Sequence, residues 1–244
     1  GEGYNKNTNL NGGVDINYNL NPGLKASITI NTDFAETEVD DRQINLTRFP
    51  IRFPEKRDFF LEGANIYQFA PRSGVYPYFS RKIGLQSGNP IPILYGGKII
   101  GKIGKLEIVA QQVKTKKTDI TNSEDFSLLR LKKNFLKESS IGILYTRRHS
   151  KDSEKLNKPI QDRNTLGIDL TLNTSSFLSN KNLQFQAFAI LHNSPIPNDI
   201  ITKTWDRSTR GLRFNFPNKP WSGSVSYREF GSSYNPAIGF VQRN

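Results

Sequence analysis

The side chains most suited to binding a ligand or an ion lie between Phe53 and Gly63, where charged and aromatic residues occur together. Aromatic rings need burial and charges need partners, so this stretch fits neither an exposed loop nor a half-buried strand. An enclosed but polar environment would satisfy both needs. We expect a network of charges, either internal or in contact with a ligand. Its candidate members are Arg48, Arg52, Glu55, Lys56, Arg57, Asp58, Glu62, Arg81 and Lys82.

An acidic cluster precedes this stretch and consists of Asp33, Glu36, Glu38, Asp40 and Asp41. Carboxylate oxygens are the ligands that Ca²⁺ prefers, so the cluster is a candidate calcium site. The spacing lacks the glycine-turned loop of a dedicated site, and ion pairing with nearby arginines is the alternative. Beyond calcium we expect no cofactor.

Catalytic groups are hard to identify in this sequence. His149 and His192 are the only histidines, and nothing nearby in the sequence pairs either of them with a nucleophile. Glycoside hydrolysis needs two carboxylates at a defined separation, and the sequence offers no way to choose such a pair. We therefore assign no catalytic residue.

The elements that must position these side chains are β-strands, because apolar and polar residues alternate along most of the chain. Residues 14–20 and 24–30 alternate around Asn21-Pro22-Gly23, which predicts a hairpin. We count about ten strands of roughly eight to eleven residues, a length that suits a tilted bilayer span. Two stretches are ambiguous: 92–103 contains Gly96-Gly97, and 125–134 carries leucines on both faces.

The predicted connections are tight on one side and long on the other. The long ones are 31–91, 112–124, 147–163 and 192–209. Such segregation is typical of outer-membrane barrels, so we predict an all-β, antiparallel transmembrane β-barrel in the bacterial outer membrane. Basic side chains in two of these connections are expected to meet anionic lipopolysaccharide. They are Lys114, Lys116, Lys117, Arg147, Arg148 and Lys151.

The apolar strand faces should contact lipid, with Ile168 and Ala187 among their residues. Asp169 lies on the opposite face, where we expect asparagine to be tolerated. The 31–91 connection is too long for an ordinary loop and too rich in aromatic residues for disorder. It is expected to fold inward as a plug. Whether the plug braces the wall or gates a ligand stays open.

Four blocks of the sequence resemble the barrel-start region of a Bacteroidota family of unknown function. They are residues 31–40, 43–49, 53–63 and 78–84, and residues 235–241 also resemble a family segment. Family members typically carry an N-terminal carbohydrate-binding family 9-like module followed by an outer-membrane barrel. The resemblance implies that barrel. It attaches no secure activity to it, and the module is absent from this chain.

Length and composition are consistent with a single barrel segment spanning residues 1–244. The chain has no cysteine, which excludes disulfides and thiolate metal sites, and no apolar run long enough for a transmembrane helix. A net charge of +12 comes without a recognition motif, so we expect no nucleic-acid partner. An aromatic-ended closing strand is missing, and we read the chain as an incomplete portion of a larger barrel.

Three classes of function remain open at this point. The first is binding or uptake of a surface ligand, a glycan or a peptide, by a barrel with a lumen-filling loop. The second is a structural anchor or docking component of an envelope or secretion assembly, with envelope proteins as partners. The third is a carbohydrate-active enzyme, which rests only on the family's association with carbohydrate-binding modules.

Overall fold

A computed structural model describes residues 12–31, 52–86, 89–119, 121–150, 161–193 and 203–241. Its elements are β1 (Val14–Asn21), β2 (Leu24–Ile30), α1 (Asp58–Leu61), β3 (Leu85–Gln86), β4 (Asn89–Pro90), β5 (Ile93–Ile103), β6 (Leu106–Thr115), β7 (Glu124–Phe135), β8 (Ser139–Ser150), β9 (Gln161–Phe177), β10 (Lys181–His192), β11 (Ser208–Pro217) and β12 (Ser222–Phe230). Two short 3₁₀ turns cover Ser80–Lys82 and Thr204–Arg207. Helix is thus confined to a few residues of the described chain, and the all-β prediction is confirmed.

Ten strands form one antiparallel sheet in the order β1-β2-β5-β6-β7-β8-β9-β10-β11-β12. The predicted turn joins β1 to β2, and the Asn21 side chain accepts a hydrogen bond from the Gly23 amide at 2.8 Å. The ambiguous stretch 92–103 is the strand β5, with a register irregularity between Ile93 and Tyr95. Neighbouring strands of this sheet are also consecutive in the chain, except for β2 and β5, which are separated in the sequence by α1, β3 and β4.

Several strands run further than the alternation of apolar residues indicates. β6 ends at Thr115 and β8 at Ser150, because charged side chains near these ends pair across the sheet. Lys114 contacts Asp125 at 3.2 Å, and Arg147 contacts Asp162 at 2.8 Å. Arg148 likewise contacts Glu124. The prediction that Lys114, Arg147 and Arg148 belong to connections is therefore wrong, since all three are strand residues in ion pairs, while contact with lipopolysaccharide stays a prediction.

Within the described residues β1 and β12 are the two edges of the sheet and do not pair with each other. The sheet is therefore open. No helix in this part of the chain is both long enough and apolar enough to cross a membrane.

The two faces of the sheet differ in what covers them. One, which we call the apolar face, carries large apolar side chains that are exposed although they lie in the middle of strands. Ile99, Leu129 and Leu166, for example, are 40%, 40% and 54% exposed. They belong to one cross-strand row, in which Ala110 and Tyr145 fill the places between them. The described residues leave this face uncovered.

The opposite face, which we call the covered face, packs against residues 52–86. We call these residues the insert, since they interrupt the chain between β2 and β5. Two clusters of buried side chains join the insert to the sheet. In one, Tyr67 and Phe69 of the insert pack with Leu144 and Phe188 of the sheet. In the other, Phe60 of the insert packs with strand residues and with the segment after β12.

The insert explains why residues 125–134 lack clean alternation. Leu128 lies on the covered face and is buried against the insert, whereas Leu129 is exposed on the apolar face. Both faces of β7 therefore need apolar side chains, for two different reasons. A burial of this kind stabilises by roughly 1.5–3 kcal/mol per large side chain.

Candidate functional site

The first charged group of the insert is centred on Arg57, whose side chain is 3% exposed. Its guanidinium makes a two-pronged contact with Glu55, at 2.8 Å from Nε and 2.7 Å from Nη2. The same guanidinium donates to the carbonyl oxygens of Ile83 at 2.6 Å and Ser80 at 2.9 Å. It also lies 4.2 Å from the ring centre of Phe60. Arg57 thus ties the start of the insert to its end.

Glu55 is stabilised as a carboxylate in this arrangement. Burial alone would raise its pKa, but the hydrogen bonds and charge of Arg57 and the hydrogen bond from the Ser80 hydroxyl outweigh burial and lower the pKa. The Glu55 side chain also accepts hydrogen bonds from the amides of Lys56 and Arg57, both at 3.0 Å. The negative charge of Glu55 is therefore paired within the network and is not available to a ligand.

A second group links the insert to strands β2 and β5 through Glu62. One carboxylate oxygen lies 2.5 Å from Lys25 and the other 3.2 Å from Lys98. The Lys98 side chain is fully buried and also donates to the Phe59 carbonyl at 2.6 Å. For Glu62, burial raises the pKa, but the hydrogen bonds and charges of the two lysines outweigh that effect and lower it.

The third group is the most enclosed and lies at the centre of the covered face. Arg130 on β7 and Asp169 on β9 have side-chain exposures of 0% and 6%, and both Arg130 Nη atoms contact the carboxylate at 2.5 and 3.0 Å. Asp169 accepts a further hydrogen bond from the Ala70 amide, and Arg130 donates to the Gln68 carbonyl at 2.9 Å. The pair thus holds the insert to the sheet. Our expectation that Asp169 tolerates asparagine is revised, because its carboxylate neutralises a buried arginine.

Glycines on the strands make room for these contacts. A Cβ at Gly142 would lie 2.4 Å from Arg130 Nη1 and 2.7 Å from Asp169 Oδ1. A Cβ at Gly167 would lie 2.8 Å from the ring of Phe69. All three distances are shorter than an ordinary Cβ contact, so a side chain at either position would force its neighbours to shift. The strand surface is shaped to receive the insert.

A fourth group connects two tyrosines of the insert through one strand residue. The Tyr67 hydroxyl donates to the side-chain Oε1 of Gln111 at 3.0 Å, and the side-chain Nε2 of Gln111 donates to the Tyr78 hydroxyl at 3.2 Å. The two rings stack with centres 5.2 Å apart. Burial is the main cause that raises the pKa of both tyrosines, so both are neutral hydroxyls at physiological pH.

The segment after β12 returns to the insert. Tyr76 and Tyr78 form isolated bridges with Phe240 and Ile238, and the Phe79 amide donates to the Ile238 carbonyl at 2.8 Å. Two blocks predicted from the sequence, residues 78–84 and 235–241, therefore contact each other. The insert therefore contacts both the sheet and the segment after β12.

The remaining candidate residues are placed differently from one another. Arg52 lies 4.3 Å from the ring centre of Tyr76, and Arg81 donates to the Pro54 carbonyl at 3.0 Å. Asp58 is exposed in the first turn of α1, Lys56 is half-buried, and Lys82 is exposed. Arg48 and the acidic cluster Asp33, Glu36, Glu38, Asp40 and Asp41 lie outside the described residues.

The two histidines differ in their surroundings. His149 Nδ1 lies 4.0 Å from the Asp162 carboxylate. His192 is 1% exposed, and its Nε2 accepts a hydrogen bond from the Asn235 amide at 2.9 Å. In the described parts of the chain no three histidine, aspartate or glutamate side chains are grouped as a metal site would need.

Sequence reasoning missed the strand partners of the insert, namely Lys98, Gln111, Arg130 and Asp169. A signal exists for Asp169, which lies in the polar phase of β9, whereas Lys98, Gln111 and Arg130 share their phase with the buried apolar residues Ile100, Val109 and Leu128. That phase places the residue on the covered face but does not say which residue it meets. The pairing of Arg130 with Asp169 depends on β7 and β9 both flanking β8, which is a fact of sheet order.

The Arg57 group holds the insert together, and the other groups bind the insert to the sheet by mutually satisfied charges and hydrogen bonds. Arg57, Lys98 and Arg130 are each buried, and each contacts a carboxylate. A buried charge with its partner in place is not available for acid–base chemistry or for a ligand. The arrangement can hold a segment in position, and it can fill space on one face of a sheet.

Comparison with known proteins gives one family match. The model of a family described as "Domain of unknown function (DUF5916)" matches residues 2–97. The matched range contains β1, β2, the insert and the start of β5. The resemblance to a family of unknown function is supported to that extent, while the Bacteroidota origin and the carbohydrate-binding module stay predictions. No curated protein and no solved structure matches the chain.

Proposed function

We propose that this chain is a section of the wall of a bacterial outer-membrane β-barrel, with the insert filling its lumen and a surface ligand, a glycan or a peptide, bound there. The observation that carries the proposal is the contrast between the two faces of the sheet. The apolar face exposes large apolar residues on nearly every strand, and the covered face carries the buried ionic groups. Soluble monomers rarely expose so extensive an apolar patch, and lipid would satisfy it.

The border of the apolar face supports the same assignment. Near the strand ends that adjoin the long connections, its side chains become polar and pair across strands. Lys114 meets Asp125, Arg147 meets Asp162, and Arg210 meets Glu229 at 2.5 Å. Trp205 is 60% exposed there, with the Arg210 guanidinium 3.4 Å from its ring centre. An apolar band bordered by charges and an aromatic ring is what a bilayer interface requires.

The lumen assignment rests on the insert. A polar interior is the environment that Arg57, Lys98 and Arg130 need, and the insert closes these groups off from water. Because Glu55, Arg57 and Glu62 of the insert are paired with protein groups, we assign the insert a bracing role, and the ligand then meets the part of the covered face that the insert leaves open. A structural anchor in an envelope assembly is the second candidate, favoured by the same internal pairing of charges.

Membrane fractionation tests the proposal directly. The full-length protein, expressed with its native export signal, should sediment with the outer membrane and stay there after washes with alkaline carbonate and urea. Detergent should be needed to release it. Recovery of a folded protein in the aqueous phase without detergent would exclude both the barrel and the anchor.

A further inference from the structure

Three arginines converge on one turn of the insert at residues 71–74. Arg72 belongs to the turn itself and donates to the Gln184 side chain at 3.4 Å. Arg213 of β11 donates to the Arg72 carbonyl at 3.5 Å, and Arg228 of β12 donates to the Ser73 carbonyl. Two guanidinium groups therefore reach the turn from β11 and β12, and the turn itself carries the third.

These arginines differ from Arg57, Arg130 and Arg148 in the partners they have, and in this respect they resemble Arg163, which donates to the Asn235 carbonyl. Arg57, Arg130 and Arg148 each make a two-pronged contact with a carboxylate. Arg72, Arg213 and Arg228 meet only backbone carbonyls and a side-chain amide among the described residues. Among the described residues these three positive charges thus have no carboxylate partner, and an anion bound between them would reduce their mutual repulsion.

The space between these arginines is lined by neutral polar groups. Two adjoining cavities of about 210 and 170 Å³ share Arg72, Gln186 and Arg213. The larger one also contains Thr171, Asn173 and Asn215. Amide and hydroxyl side chains of this kind bind the hydroxyl or amide groups of a ligand, while a guanidinium fork matches a planar or tetrahedral oxyanion.

We propose that this groove binds the oxyanion group, a carboxylate or a phosphate, of the ligand that enters the lumen. The inference rests on the proposed function, since it takes the covered face as the lumen wall. It adds the chemical class of the ligand: an acidic glycan or acidic peptide is bound, and its neutral counterpart is not. Arg213 and Arg228 hold the oxyanion, and the amides beside them orient the neutral part.

Calorimetric titration of the full chain in detergent micelles tests this. Galacturonate, its neutral methyl ester and inorganic phosphate are the probes, so that carboxylate and phosphate sources are compared directly. We expect galacturonate or phosphate to bind, the ester to bind at least about tenfold more weakly than galacturonate, and the affinity for the anion to fall as salt rises.

Three variants and a matched control locate the site. Arg213→Gln and Arg228→Gln should each weaken anion binding by about tenfold or more. Arg210→Gln removes the same charge from the same strand as Arg213, but on the apolar face, and should leave the affinity unchanged. Arg213→Lys retains the positive charge but lacks the planar guanidinium, so its affinity for the anion should lie between those of Arg213→Gln and the unaltered chain.

The proposal is overturned if neither anion binds the unaltered chain more tightly than the neutral ester, or if both glutamine variants bind as well as Arg210→Gln. The titration reads binding and not insertion, so its failure leaves the fractionation result intact. A protein that binds anions but fractionates as soluble would instead contradict the membrane assignment alone.

Discussion

Among single residues, Asp169 gives the sharpest prediction. Asp169→Asn leaves the Arg130 guanidinium buried without its carboxylate, and breaking such a pair costs about 3–5 kcal/mol of unfolding free energy. Urea unfolding from lipid vesicles would measure the loss. The matched control is Asp162→Asn, which breaks the Arg147 pair whose two side chains are 43% and 44% exposed, and should cost less than about 1 kcal/mol. Equal losses in the two variants would mean that the Arg130 pair is not enclosed.

Gly142 offers a second prediction at this scale. Gly142→Ala places a methyl group against Arg130 and Asp169, and overpacking of this kind costs about 1–3 kcal/mol. Gly97→Ala is the control, since Gly97 is also a strand glycine but has no atom within 4 Å of the added Cβ. Unfolding midpoints in urea should fall for Gly142→Ala alone. A loss of similar size at Gly97 would point to strand propensity as the cause.

Glu55 makes stability depend on pH with a definite sign. Its pKa in the folded chain is lowered below 4.5, so its contribution is complete above pH 4.5 and is lost as the pH falls through the folded pKa. Glu55→Gln should therefore be less stable than the parent at neutral pH, and the two should converge in acid. Unfolding curves at several pH values would measure the gap. A gap that stays constant from neutral to acid pH would contradict the ionised role of Glu55.

At the scale of elements, amide hydrogen exchange distinguishes an insert that braces the sheet from one that gates a ligand. A brace held by buried pairs should exchange as slowly as strands β7 to β9, including the amides of Phe60, Phe79 and Ile83, which donate to backbone carbonyls. Hydrogen exchange read by mass spectrometry would cover the whole insert. Protection far below that of the strands, or protection that changes when a ligand is added, would favour the gate.

The sequence predicts the elements better than it predicts their contacts. The alternation of apolar residues locates the β1–β2 turn and the strands of the large sheet apart from β5 and β7, whose stretches are ambiguous, because a half-buried strand needs that period. It misplaces strand ends such as those at Lys114 and Arg147, where cross-strand ion pairs extend the sheet without apolar residues. For the insert, charge and aromatic content indicate enclosure. Identifying Lys98 and Arg130 as its partners requires the three-dimensional arrangement of the strands.

For the whole molecule, the orientation of the sheet in a bilayer can be tested with single arginines. Ile168→Arg on the apolar face should cost about 2–4 kcal/mol if the residue lies near the midplane of the membrane. Refolding into lipid vesicles, followed by urea titration, would measure the cost. In water the same change would be nearly neutral, because Ile168 is already 47% exposed.

Adjacent residues of β12 provide the matched control for that experiment. Val225 and Ser224 are both exposed and point to opposite faces of the sheet. Val225→Arg should impair assembly into vesicles, to a degree set by its depth, while Ser224→Arg should assemble as the parent does. Equal tolerance of the two variants would show that lipid does not contact the apolar face.

The contacts of the insert also constrain the order in which the chain folds. The Ala70 amide donates its hydrogen bond to Asp169, which lies 99 residues later in the chain. The Ser73 carbonyl accepts its hydrogen bond from Arg228, which lies 155 residues later. Closing such long loops is slow, so the insert is synthesised early but docks only after the last described strands have formed. Until then Phe60, Tyr67 and Phe69 lack their burial sites. During assembly these rings need temporary shelter, which makes the undocked insert a natural substrate for a holding chaperone.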